Sequence, residues 1–474
     1  MSSVAGAVEN LRVITQSPPI LKLAEAFGAA GHDLALVGGP VRDAFLGRQV
    51  NDLDFTTSAT PDEIERIVRP LSDALWDVGR AFGTIAAQMG DLTIEITTYR
   101  ADTYDGKSRK PEVAFGDNLE ADLFRRDFTM NSMALKLPDL VLVDPCNGLD
   151  DLLAGVLRTP IAPEESFRDD PLRMMRAARF VSQLGVSVHP DTVAAMSTMS
   201  ERLADISAER VRDELVRILS SSAPREGLEL LVETGLAEVF LPELPALQLE
   251  SDEHAHHKDV YQHTLTVLDQ AIGEEKQRHP GEAPDLVLRL AALLHDIGKP
   301  ATRRFEAGGV VTFYHHDVVG AKLAKKRLTA LRFDNDTIAA VCRLIELHLR
   351  FFGYADQAWS DSAVRRYVRD SGDSLERLHM LVRADVTTRN KRKADRLAFA
   401  YDDLEARIAA LAELEELQSL RPALDGEQIM QILGIGPGRE VGQAYSFLME
   451  VRLDDGVIPE EEATKRLLAW WASR

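Results

Sequence analysis

The sequence predicts an α/β head, with a small mixed or antiparallel sheet and helices, followed by a long all-α body. Three observations carry this reading. Short runs rich in Val, Ile, Thr and Leu at 34–38, 52–56, 84–89, 92–98 and 140–144 read as strands, with helical stretches at 41–46 and 61–70 between them. From residue 169 almost to the end, apolar residues recur instead at helical spacing. The chain of 474 residues also exceeds one hydrophobic core, so two to four domains are expected.

In order along the chain, 10–31 reads as a helix with Pro18 and Pro19 near its start and Gly31 as its stop. The strands and helices of the head run to residue 158, with a polar Gly- and Pro-bearing loop at 102–118. A helical neck at 159–245 follows, punctuated by Pro171, Pro190, Pro224, Pro242 and Pro245. The string 241–259 reads as a linker into a further helical unit at 246–395, and 396–474 forms a helical tail. Within that tail, 404–420 is an acidic helix that either packs on the body or forms the seam of a homodimer.

Composition bounds the function. No run of about 18 apolar residues exists, which excludes a membrane span. The first twenty residues lack a basic start followed by an apolar core, so no secretory signal is expected. Cys146 and Cys342 stand far apart with no CxxC, which fits a reducing cytoplasm and argues against a cysteine zinc site. The net charge of −21 disfavours a polyanionic partner as a sum. Local basic clusters remain at Lys107, Arg109 and Lys110, at Lys322, Lys325, Lys326 and Arg327, and at Arg389, Lys391, Arg392 and Lys393. Each is a solvated face or part of a stripe for RNA.

The chemistry concentrates in LVGGPVRDAFLGRQVNDLDF at 36–55. Side chains alternate along a strand, so Asp52 and Asp54 project to one side. Two carboxylates aimed at one point repel unless a cation lies between them, and Mg²⁺ favours oxygen ligands. Gly38 and Gly39 lack a Cβ, so their N–H groups can approach phosphate oxygens, and Arg42 adds a two-pronged cation. Glu95 in TIEITTYR is either a third carboxylate or an exposed strand residue. In FRDDPLRMMRAARF at 167–180, Asp170, Arg173 and residues 176–177 fall on one face if the segment is helical, as in any amphipathic helix with an ion pair.

The spacing of GGxxRD and DxD resembles the head signature of the tRNA nucleotidyltransferase and poly(A) polymerase family, bacterial class II. FRRDFTMNSMAL at 124–135 resembles its second head motif. The resemblance implies that Arg126 contacts the triphosphate and Asp127 the ribose. It makes Asp170 and Arg173 the protein template that selects the incoming base, with Arg176 and Arg179 holding base or phosphates. Asp170 only accepts and Arg173 only donates hydrogen bonds. Cytosine and adenine offer an amine beside a ring-nitrogen acceptor, while uracil and guanine offer the reverse order, so the pair admits C and A.

Ten of the twelve histidines lie between 254 and 379. LRLAALLHDIGKP at 288–300, with His263 upstream and VRADVTT at 382–388 downstream, resembles the HD phosphohydrolase superfamily. His263, His295, Asp296 and Asp385 match its metal positions, a set that suits Mn²⁺, Fe²⁺, Ni²⁺ or Zn²⁺ better than Mg²⁺. His315, His316, Asp317 and His348 add a second metal or bind phosphate. Together the motifs imply a CCA-adding enzyme of the HD-bearing kind seen in actinobacteria. It would add C, C and A to tRNA 3′ ends from CTP and ATP, with Mg²⁺ on Asp52 and Asp54 and an HD phosphohydrolase as second activity. An A-adding enzyme or poly(A) polymerase is the close rival, and an HD phosphohydrolase with a docking head is the distant one.

Overall fold

The structure is a computed structural model that describes residues 4–50, 52–77, 79–80, 83–99, 118–248, 260–307, 311–351, 354, 359–388, 390–415 and 421–474. The 102–118 loop (but for residue 118), the end of the 241–259 linker, the first basic cluster, Arg389 and residues 416–420 lie outside them. The chain forms two compact units, Met1–Phe240 and Leu241–Arg474.

The first unit carries a seven-stranded sheet in the order β3-β4-β5-β2-β1-β6-β7. Its strands are β1 (Leu34–Val37), β2 (Leu53–Thr57), β3 (Ala74–Trp76), β4 (Thr84–Met89), β5 (Leu92–Thr98), β6 (Ala134–Leu137) and β7 (Val141–Val143). The sheet is mixed, as expected. β1 runs antiparallel to β2 and β6, while β2 and β5 are parallel, with Asp54 paired to Glu95 in register. β1 reads LALV without alternation because all four residues are buried. The strands β3 and β6 escape the sequence reading. Ala and Lys in β6 are poor strand formers, and the strand exists through its pairing with β1 and β7.

Two helix expectations are corrected for one reason. The 10–31 helix is really two, Val4–Thr15 and Pro18–Ala29, with Ser17 extended at ψ 143°. The neck stripe breaks likewise, into Pro163–Asp169 and Leu172–Leu184, with Asp170 extended at φ −143° and ψ 101°. A residue that precedes proline is pushed out of the α region by the ring, and Ser17 and Asp170 are both such residues. Asp170 therefore does not share a helical face with Arg173.

The second unit is helical. Val260–Arg278, Leu286–Leu294, His316–Ala330, Asn335–Leu347 and Leu375–Ala384 pack together. The helix Leu286–Leu294 is buried nearly all round, and its one charge, Arg289, is held by Glu275 at 2.9 Å. A separate apolar cluster of Leu424, Ile429, Ala444, Leu448, Ala463 and Leu467 closes the C-terminal helices on themselves. Arg365 ties that module to the rest of the unit by donating to the carbonyl of Leu453 at 3.1 Å. Among the described residues, no helix is long and apolar enough to cross a membrane.

Candidate active site and metal centre

A cleft of about 500 Å³ opens in the first unit. Gly38, Gly39, Arg42, Asp52, Asp54, Glu95, Arg126, Asp127, Arg176 and Arg179 all line it. Asp52 sits one residue ahead of β2, Asp54 lies within it, and Glu95 is Asp54's partner on the neighbouring strand. Three carboxylates thus meet at one wall. Burial, and then the charge of Glu95, push the Asp54 carboxyl up to about 6, with Asp52 adding to the rise and Arg126 opposing it. Such crowding is what a bound divalent cation relieves, so the donor set fits a hard metal ion.

Facing these acids, a chain of polar contacts fixes the cations. Arg42 forks onto Asp43 at 2.9 and 3.0 Å and donates to Asn131 Oδ1 at 2.7 Å. Asn131 Nδ2 in turn donates to Asp127 Oδ1 at 3.0 Å, and Arg176 Nε donates to Asp127 Oδ2 at 2.8 Å. Burial drives the Asp127 carboxyl upward, but the charge of Arg176 and the hydrogen bonds from Asn131 and Arg176 outweigh it and hold the group far below the carboxylate range. Arg179 pairs with buried Glu214 at 3.0 Å, and burial followed by the charge of Arg176 pulls it down to about 10. Arg217 shares the same Glu214 oxygen at 3.3 Å.

Several residues sit differently from what the motifs imply. The Gly38 N–H donates to Met133 O at 3.1 Å rather than into the cleft. Its φ of +75° favours glycine, and Arg126 Nη1 comes within 3.2 Å of where a Cβ would stand. Asp127, implied as a ribose contact, accepts from Phe128 N, Asn131 and Arg176, so its lone pairs serve the chain itself. Arg126 reaches Asp122 at 3.3 Å. Asp170 and Arg173 are not in the cleft lining. Asp170 accepts from Leu172 N and from Arg210, both at 3.1 Å. Arg173 donates to Ser166 Oγ and to Arg125 O, both at 2.7 Å. Asn131, Gln183, Arg210 and Arg217 were not singled out from sequence, and Phe180 was read only as an apolar position of the 167–180 string. Asn131 had a local signal, four residues after Asp127 in the same motif.

The second unit gathers the histidines. His263, His295 and Asp385 form one group able to hold a metal, and Asp296, His316 and His348 form a second. Asp296 belongs to both sides. Its Oδ2 lies 3.4 Å from His263 Nε2 and 3.2 Å from His295 Nε2, and its Oδ1 lies 3.3 Å from His316 Nε2. His263 Nε2 is also 3.0 Å from Asp385. The Nδ1 atoms of His295, His316 and His348 meet the carbonyls of Ala292, Phe313 and Ile345 at 2.9, 2.7 and 2.6 Å. A carbonyl only accepts, so each Nδ1 carries a proton and each Nε2 is the ring atom left to face a ligand. Buried His295 Nε2 has only carboxylate oxygens beside it, Asp296 at 3.2 Å and Asp385 at 3.7 Å, an arrangement that a metal ion would satisfy. Burial, and then the charge of His295, pull His348 down to about 4, which keeps it neutral. A Cβ on Gly298 would stand 2.1 Å from the His316 carbonyl, so the glycine lets the His316 helix close on the HD turn. His315 is exposed, with φ 62°, and neither it nor Asp317 joins either group.

Residues 34–158 match the Poly A polymerase head domain, 185–247 the probable RNA and SrmB- binding site of polymerase A, and 260–413 the HD domain. The A-adding tRNA nucleotidyltransferase of Deinococcus radiodurans is 34% identical over 448 residues, covering 92% of this chain and 95% of that one. The chain belongs to the tRNA nucleotidyltransferase family. The CC-adding tRNA nucleotidyltransferase of Thermus thermophilus is 32% identical over 447 residues, covering 92% and 94%. The crystal structure of the Bacillus stearothermophilus CCA-adding enzyme in complex with CTP superposes with TM-score 0.65 at 26% identity, covering 97% and 99%. In this nucleotidyltransferase both the head and the HD domain imply dependence on divalent metals.

Proposed function

We propose that this enzyme adds C, C and A to the 3′ end of tRNA, using CTP and ATP. The observation that carries the reading is the wall of Asp52, Asp54 and Glu95 facing Arg42, Arg126, Arg176 and Arg179 across one cleft. The RNA 3′-oxygen attacks the α-phosphorus, a P–O bond forms, the bond to the β-phosphate breaks and pyrophosphate leaves with the hydroxyl proton passing to solvent. Asp52 and Asp54, with Glu95 beside them, would hold Mg²⁺. Magnesium bound there supplies charge neutralisation for the attacking oxygen and the departing phosphates. The arginines orient the triphosphate and stand where its negative charge builds up. Asp170 and Arg173 select the base as an acceptor–donor pair once they exchange Arg210, Ser166 and Arg125 for its edge. A wrong base would leave a buried partner unpaired, at about 1–3 kcal/mol each.

A second reading, restricted A addition, draws on the 34% identical relative from Deinococcus radiodurans, which is named A-adding. The Asp170–Arg173 logic accepts C and A alike and does not separate the two. Incubation with tRNA ending in CC, in C or in neither, with each nucleotide alone, separates them. C incorporation onto the shortest tRNA supports CCA addition, and A-only incorporation onto the CC-ended tRNA supports the rival.

For the second unit we propose a phosphohydrolase using two positions for Mn²⁺, Fe²⁺, Ni²⁺ or Zn²⁺. His263, His295 and Asp385 would serve one and His316 and His348 the other, with Asp296 between them. A 2′,3′-cyclic phosphate or a phosphorylated RNA end suits such a site. Free Cys146 and Cys342 accord with a cytoplasmic enzyme.

A further inference from the structure

Phe180 brings an aromatic ring to the cleft lining, where Leu53 is the other apolar side chain. The ring is only 4% exposed and lies among cations. The guanidinium carbons of Arg42, Arg176 and Arg179 stand 5.2, 5.8 and 4.6 Å from its ring centroid. Phe128 meets it edge-on at 5.7 Å and 88°, which fixes the ring's tilt. Arg42 comes from the helix Gly39–Phe45, far away in sequence, while Arg176 and Arg179 share the helix Leu172–Leu184 with the ring.

Three like charges crowded together repel, and each needs two restraints to keep one direction. A carboxylate supplies the first in every case: Asp43 for Arg42, Asp127 for Arg176 and Glu214 for Arg179. Asp43 and Asn131 between them already fix the Arg42 plane, but Arg176 pivots on one Asp127 oxygen and Arg179 is held through Nη1 alone, so those two planes are left free to swing. The negative face of an aromatic ring restrains the plane itself. We propose that Phe180 is a positioning residue for the nucleotide's triphosphate, its ring being the common platform that holds the guanidiniums of Arg176 and Arg179 beside that of Arg42. The proposal rests on the nucleotidyl-transfer reading. A buried phenylalanine that merely filled space would do equally well as leucine. A platform would not, because leucine keeps the apolar bulk and loses the charged face.

The test compares Phe180→Leu with Phe180→Trp in the full chain. Initial rates give KM and kcat for CTP and ATP on tRNA, and inorganic tripolyphosphate and cytidine serve as competing probes. The Leu variant is expected to raise KM for both nucleotides about tenfold, the scale of one or two lost cation–ring contacts. Tripolyphosphate inhibition should weaken by the same factor and kcat should fall, while cytidine inhibition stays within about threefold. The Trp variant should recover most of the loss. Unchanged tripolyphosphate inhibition in the Leu variant overturns the platform, as does a Trp variant no better than Leu. Should Phe180→Leu fail to fold, Phe180→Met carries the same comparison with the same two outcomes. Full incorporation by Asp54→Ala would instead refute the underlying reaction, so the two failures are distinguishable.

Discussion

Replacing Asp54 with asparagine should stabilise the protein when metal is removed. An aspartate normally near 3.8 and raised to about 6 makes the ionised folded state costly. That difference corresponds to about 3 kcal/mol at neutral pH, and partial solvent access trims it to about 1–3 kcal/mol. The sign follows from linkage. A raised folded pKa favours folding below pH 3.8, and that contribution is lost as pH rises through about 6. The variant carries no charge there, so its advantage over wild type grows from about pH 3.8, is complete above about pH 6, and is much smaller at pH 4.5 than at pH 7.5. The assay is the midpoint of the head's urea transition in EDTA at pH 7.5 and at pH 4.5. Magnesium should stabilise wild type and close the gap, because a cation bound only to the folded state adds its binding energy. An Asp54→Asn variant less stable than wild type in EDTA at pH 7.5, or an advantage that ignores pH, refutes the reasoning.

Arg176→Ala strands the buried Asp127 charge and should cost about 3 kcal/mol in urea unfolding, whereas under 1 kcal/mol would mean that water screens the pair. Gly298→Ala forces a Cβ against the His316 carbonyl and should lower the metal content by elemental analysis while nucleotide incorporation continues. His348→Ala should drop bound transition metal from two equivalents to one, and an unchanged count would remove the second position. His263→Ala should abolish hydrolysis of a cyclic phosphodiester and leave tRNA extension intact.

Much of the head was readable because its signals are local. DLDF carries its acids at alternate positions, and the sheet duly sets both beside the cleft. HDIGKP marks the candidate metal centre because it sets His295 and Asp296, one in each of the two groups, side by side. Misreadings arose where one residue outweighs a periodic pattern. Pro18 and Pro171 each push their predecessor out of the helix, which splits two apparently continuous stripes and takes Asp170 off Arg173's face. What no local pattern carries is convergence. Phe180 reads as one more apolar position on an amphipathic helix until Arg42 is brought to its ring by the fold. His315 and His316 are equal in sequence, and only the left-handed turn at His315 decides which of them faces Asp296.

The most direct measurement is incorporation of labelled CTP and ATP into tRNA lacking its terminal nucleotides, by wild type and by Asp52→Ala and Asp54→Ala, each checked for folding. The account predicts extension by wild type and none by either variant, with cyclic-phosphate hydrolysis preserved in all three. Extension at wild-type rates by either carboxylate variant would contradict it.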